Sequence, residues 1–120
     1  MPTRVALFIP CFVDQLAPRA ALDMARVLRR IGCEVVYPAT QTCCGQPAFN
    51  TGYWQDARAV AERFVRVFGS AKVVVSPSAS CTSMVRNYYP ELLAGSSLRD
   101  AAAQLTRRIF EFSEYLVRAE

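Results

Sequence analysis

Short unbroken apolar runs alternate along this chain with longer stretches in which apolar residues recur every third or fourth position. Arg4-Val5-Ala6-Leu7-Phe8-Ile9 is continuous and ends in Pro10-Cys11, the pattern of a strand buried on both faces. A helical repeat follows, with Pro18 near its start, Ala21, Leu22, Ala25, Leu28 and Ile31 on one side, and Gly32 as its stop. Glu34–Tyr37 reads as a second short strand closed by Pro38, and a longer loop then carries Gln41-Thr42-Cys43-Cys44-Gly45-Gln46-Pro47. From about Tyr53 a second helix presents Trp54, Ala57, Val60, Ala61, Phe64 and Phe68, and Gly69 ends it. Lys72–Val75 is the third strand, Ser76–Cys81 the loop after it, and a short helix from Cys81 to Tyr89 is interrupted by Pro90. After Gly95-Ser96-Ser97, a stripe of Leu98, Ala102, Leu105, Ile109, Phe112 and Leu116 predicts one last helix running to the C-terminus.

Strands that lack in–out alternation and are separated by helices imply an α/β fold. It is a parallel sheet flanked by helices, a Rossmann-like layered sandwich. At 120 residues the chain reads as a single domain, residues 1–120, able to bury a real core. No apolar run approaches the ~18–20 residues of a membrane span. The N-terminus lacks a small-residue cleavage site, so a cytoplasmic location is expected.

Composition narrows the chemistry. The net charge of +4 comes from thirteen arginines and one lysine, scattered over helix faces and not gathered into a stripe with stacking aromatics, so nucleic acid is not expected as a partner. Histidine is absent, which removes Ser-His and Cys-His dyads and every His-ligated metal site. Five cysteines in a reducing compartment read as metal-binding, catalytic or free thiols.

Topology then places the thiols. Cys11 follows strand one, Cys43 and Cys44 lie after strand two, and Cys81 ends the loop after strand three. In a parallel sheet these positions share the carboxyl edge, where open α/β sheets build ligand sites. Cys33 precedes strand two and belongs at the opposite edge. Converging thiols without histidine suit a soft metal centre, iron–sulfur first and zinc second. Adjacent thiolates project in different directions and so could grip two atoms of one cluster. Gly45 lets the backbone come close. The bland alternative is a set of small buried hydrophobes. Asp14 fits a cap of the first helix, and Tyr53, Trp54, Tyr88 and Tyr89 read as packing beside the loops.

Cys11, the Cys43-Cys44-Gly45 triplet and Cys81, at these spacings, resemble the cysteine-rich CCG domain of heterodisulfide-reductase and glycolate-oxidase iron–sulfur subunits. The wording CFVDQLAP, PATQTCCGQPAFNTGYW and SPSASCTSM is closest to the lactate-utilization members. The resemblance runs from strand one to about Tyr89. It implies an iron–sulfur cluster, of 4Fe-4S type, on Cys11, Cys43, Cys44 and Cys81, with Gln41, Thr42, Gly45 and Gln46 shaping the loop. It also implies an electron-transfer component of an L-lactate oxidation complex, partnered by the other subunits and doing no substrate chemistry alone. The family's fullest motif ends in C-x-x-C, whereas Cys81-Thr82-Ser83 is followed by Met84, which tells against a five-thiolate cluster. Relatives carry the motif in tandem, so one copy implies an N-terminal half. Two alternatives stand beside this reading: thiol–disulfide chemistry of the heterodisulfide-reductase kind at a cluster, and a metal-free interaction module. Phe110 and Tyr115, lying off the final stripe, are expected to leave apolar surface that a homodimer would cover.

Overall fold

The computed structural model describes residues 3–10, 17–41 and 44–118. Four strands, β1 (Arg4–Leu7), β2 (Glu34–Val36), β3 (Val74–Ser76) and β4 (Ile109–Glu111), form one sheet in the order β2-β1-β3-β4, and every pairing is parallel. The register sets Val5 against Val35, Ala6 against Val36 and Val74, and Val75 against Phe110. Side chains of successive strand residues leave on opposite faces. Both faces of β1 are covered, which explains its unbroken apolar run. Ala6 and Phe8 enter one core with Val74 and Ile109, while Val5, Leu7 and Ile9 enter the other with Val75 and Phe110.

The second core rests on α1 (Pro18–Arg30), through Met24, Ala25 and Leu28. Proline opens this helix at a position where its missing N–H costs nothing. Arg29 and Arg30 sit in its last turn, where the macrodipole favours cations. The capping position is Ala17; Asp14, expected as the cap, lies outside the described residues.

The first core is larger. It is built on α2 (Gln46–Asn50), α3 (Trp54–Phe68) and a composite helix after β3. In α3, Ala57, Ala61, Phe64, Val65 and Phe68 are buried, whereas Trp54 stays half-exposed at the end of the stripe. Phe8 meets Phe64 edge-on at 4.7 Å and Phe68 at 5.8 Å, so the end of β1 is locked against α3 by ring geometry that adds to area burial.

Two sequence expectations are corrected. The helix after β3 does not stop before Pro90. It runs as α4 (Ala79–Ser83), a π turn (Met84–Tyr88) and α5 (Tyr89–Leu92). A proline in an α-helix forfeits one backbone bond and crowds the carbonyl four residues earlier; a wider turn just before it relieves both. Met84, at the missing second cysteine position, is buried in the first core and packs as an ordinary hydrophobe.

The single final helix is also wrong. The chain forms α6 (Arg99–Leu105), turns, pairs as β4 and ends in α7 (Phe112–Arg118). The edge of β3 offers unpaired backbone groups, and Ile109–Glu111 satisfy them. The apparent stripe therefore splits: Ala102, Leu105 and Ile109 join the first core, and Phe112 and Leu116 pack on the second. Phe110 and Tyr115 are both buried there, with Arg118 over the Phe110 ring at 4.9 Å, which removes the exposed patch invoked for a homodimer. Arg108 fixes the turn before β4 by donating to the carbonyls of Ala71 (2.7 Å) and Gly69 (3.0 Å). Arg86 closes the other end. It donates to the Ile109 carbonyl and, through both terminal nitrogens, to the two carboxylate oxygens of Glu114. The Arg86 guanidinium bonded to it holds the Glu114 carboxyl below its usual range, with smaller help from the Glu111 N–H and Arg118. Among the described residues, no helix is long and apolar enough to cross a membrane.

Candidate metal centre at the carboxyl edge

The chain leaves β1 toward β2 on one side and later crosses back past β1 to β3. That makes the carboxyl ends of β1 and β3 the point where strand order reverses, the crevice in which open parallel sheets take ligands. Cys81 follows β3 directly into this region. Ser76, Ser78 and Thr82, all buried, shape its approach. The Ser76 hydroxyl accepts from the Ser78 N–H (3.2 Å), and the Ser78 hydroxyl accepts from the Cys81 N–H (3.3 Å) as the helix cap. The Ser78 carbonyl accepts from the Thr82 hydroxyl at 2.9 Å. Cys81 thus sits in the first turn of a capped helix with its peptide group satisfied.

The loop after β2 is tied to β1 by one side chain. Gln41 accepts from the Ile9 N–H at 2.8 Å and donates to the carbonyls of Leu7 (2.9 Å) and Pro38 (3.0 Å). Its amide takes the place of a strand residue beyond the end of β2, where β1 would otherwise run out of partners. Gly45 adopts φ +88, a left-handed conformation that glycine reaches without strain, and a Cβ there would sit 3.3 Å from the Ala57 carbonyl. Gln46 opens α2, and the Gly45 carbonyl accepts from the Phe49 N–H at 3.0 Å. Cys44 is buried in the same core as Cys81, Phe8, Met84 and Tyr89, and its carbonyl accepts from the Tyr89 hydroxyl at 2.7 Å.

The structure thus brings Cys44 and Cys81 to one core. Cys11, Cys43 and Thr42 lie outside the described residues, although Cys43 is bonded to Cys44 and Cys11 follows Pro10. Among the described residues no three cysteine or carboxylate side chains come together, in a set that holds two of the four expected ligands. Cys33 behaves differently. It precedes β2, is half-buried against the core on the other face, and its sulfur lies 3.8 Å from the Tyr115 hydroxyl. Burial above all, and then this thiol, push the Tyr115 hydroxyl above its usual range.

Two residues were not singled out as site-building by their sequence. Ser78 carried a readable signal, as a serine three positions before Cys81 at a helix start. Tyr89 carried none, because its contact spans 45 positions and depends on the π turn.

The chain is 38% identical over 115 residues to lactate utilization protein A 2 of Bacillus cereus (strain AH820), covering 95% of this chain and 48% of that protein. It is 40% identical over 114 residues to lactate utilization protein A of Halalkalibacterium halodurans, covering 95% of this chain and 47% of the relative. The chain therefore spans about half the length of the curated relatives it matches. No solved structure matches it. Residues 5–86, from β1 into the π turn, match the cysteine-rich domain family denoted CCG, and the chain belongs to that family.

Proposed function

We propose that this chain is the cluster-bearing half of an iron–sulfur electron-transfer subunit that serves lactate oxidation in the cytoplasm. The observation that carries the reading is the burial of Cys44 and Cys81 in one core, with Tyr89 of the Cys81 helix hydrogen-bonded to the Cys44 peptide. The two cysteines stand far apart in sequence, each follows a different strand, and both are buried in one core at the carboxyl edge. The donor set fits a soft metal centre: thiols, no histidine anywhere in the chain, and backbone groups already satisfied by Ser78 and Tyr89. Cys11, Cys43, Cys44 and Cys81 would hold the cluster, for which a 4Fe-4S type is proposed, and when bound it supplies one-electron transfer. The protein's own residues contribute position and exclusion of water. Gln41, Gly45 and Gln46 set the loop, and Phe8, Phe64 and Met84 belong to the core that buries Cys44 and Cys81. The names of the relatives concern lactate utilization, and this supports placing the chain with the other subunits of a lactate-oxidising complex.

The test is anaerobic iron and sulfide analysis with electron paramagnetic resonance on the native chain and on Cys44→Ser, Cys81→Ser and Cys33→Ser. Serine oxygen is a poor match for iron, so the first two should lose the cluster while the third keeps it. Equal iron in all three variants, or loss in Cys33→Ser with the fold intact, contradicts the assignment.

A further inference from the structure

We propose that Tyr89 is a positioning residue for Cys44, and that the π turn exists to aim it there. Cys81 and Tyr89 are eight residues apart on one composite helix. In a regular α-helix, eight residues overshoot two turns by about 80°, whereas seven fall within about 20° of the starting direction. An uninterrupted helix would therefore turn Tyr88 toward the face that carries Cys81 and rotate Tyr89 away. The π turn Met84–Tyr88 takes up one extra residue and reverses that outcome. Tyr89 is completely buried and donates its hydroxyl to the Cys44 carbonyl at 2.7 Å, while Tyr88 is 42% exposed and rests its ring 4.8 Å from Phe49.

The consequence is mechanical. The segment after β2 and the helix after β3 each carry a cysteine, and no main-chain ladder joins them: β1 lies between their strands. The Tyr89 hydroxyl bridges that gap, and the Tyr89 ring is seated edge-on against Phe64 at 5.6 Å, which itself packs on Phe8 at the end of β1. One side chain thereby registers the Cys44 segment and the Cys81 helix against each other and, through Phe64, against the end of β1. The role rests on the cluster reading for its purpose, but the linkage itself needs no metal.

The test uses the reduced, iron-free chain first. Cys44 is 2% exposed, so an alkylating reagent reaches it only after local opening, and its rate reports that opening. Tyr89→Phe removes one buried hydrogen bond and leaves the Cys44 carbonyl without its phenol donor. The cost is about 1–2 kcal/mol, which should speed Cys44 alkylation roughly tenfold. Cys33, half-buried on the other face of the sheet, is the reference for reagent reactivity, and Leu28→Val, a truncation in the core of that face, is the reference for global loosening: at matched urea midpoints a positioning role raises the Cys44 to Cys33 ratio more in Tyr89→Phe than in Leu28→Val. Tyr88→Phe should leave that ratio unchanged. A ratio in Tyr89→Phe equal to the native one, or no higher than that in Leu28→Val, overturns the proposal, as does an equal rise in Tyr88→Phe. The second arm loads iron anaerobically. Tyr89→Phe should retain iron but shift the paramagnetic signature relative to the native protein, and an unshifted signature also overturns it. If the native chain takes up no iron, the cluster reading fails by itself while the thiol ratio still decides the role of Tyr89.

Discussion

Gln41 gives the sharpest access to how the loop bearing the cysteine doublet is held. Its side-chain amide makes three partly buried hydrogen bonds at 2.8–3.0 Å, two to β1 and its extension and one to Pro38. Each is worth about 0.5–1.5 kcal/mol net. Truncation to alanine also releases about 1 kcal/mol of side-chain ordering. The expected cost of Gln41→Ala is therefore about 2 kcal/mol, and with a urea m-value of about 1.5 kcal/mol/M the midpoint should fall by about 1.3 M. Gln41→Glu separates the donors from the acceptor. It preserves the oxygen that receives the Ile9 N–H but, when ionised, sets negative oxygen against the Leu7 and Pro38 carbonyls. That environment raises the folded-state pKa of the introduced carboxyl above its unfolded value of about 4.3. A raised folded value means stability that is present below the unfolded pKa and lost as pH rises through the folded one. Urea titrations at pH 7 and pH 4, each compared with the native chain at the same pH, should show Gln41→Glu recovering much of its deficit at pH 4. An alanine midpoint within about 0.2 M of native, well inside the shift expected from the m-value, would refute the bridging role. A glutamate variant equally impaired at both pH values would show that the two donated bonds are not what matters.

Gly45→Ala should destabilise the chain by about 1–2 kcal/mol in the same assay, since φ +88 is strained for alanine and the new methyl approaches the Ala57 carbonyl. Glu114, lowered in pKa chiefly by its hydrogen bonds from Arg86, contributes stability that is present above its ordinary value near 4.5 and lost as pH falls through the folded value; Arg86→Leu should flatten that acid limb in thermal melts. Phe64→Ala should cost about 3–5 kcal/mol, because Phe8, Phe68 and Tyr89 all pack on that ring, and circular dichroism should show a lowered melting temperature.

The sheet and its helices were legible because burial on both faces leaves a signature that needs no tertiary knowledge. The run through Ile9, the stop at Gly32 and the stop at Gly69 all correspond to observed boundaries within a few residues. The region after Leu98 was not legible. Ile109 and Phe110 are adjacent apolar residues that fit a helical stripe and a two-faced strand equally well. What decides between them is the free edge of β3, which the local sequence does not display. Pro90 misled for a related reason: proline forbids a regular helix, and the sequence does not announce a wider turn that accommodates it.

The contrast among the described cysteines shows what topology contributes and what it leaves to side chains. Cys33 and Cys44 are eleven positions apart, yet one immediately precedes β2 and the other lies in the loop that follows it, and they pack on opposite faces of the sheet. A parallel sheet is enough to sort them to different ends. It is not enough to link the Cys44 segment to the Cys81 helix, because β2 and β3 are not neighbours and β1 lies between their ends. That gap is crossed by polar groups: Gln41 ties the post-β2 loop to β1, Ser78 seats the Cys81 turn, and Tyr89 links the Cys81 helix to the Cys44 peptide. Strand ends therefore sort the cysteines between the two ends of the sheet, and these three side chains link the segments that carry Cys44 and Cys81.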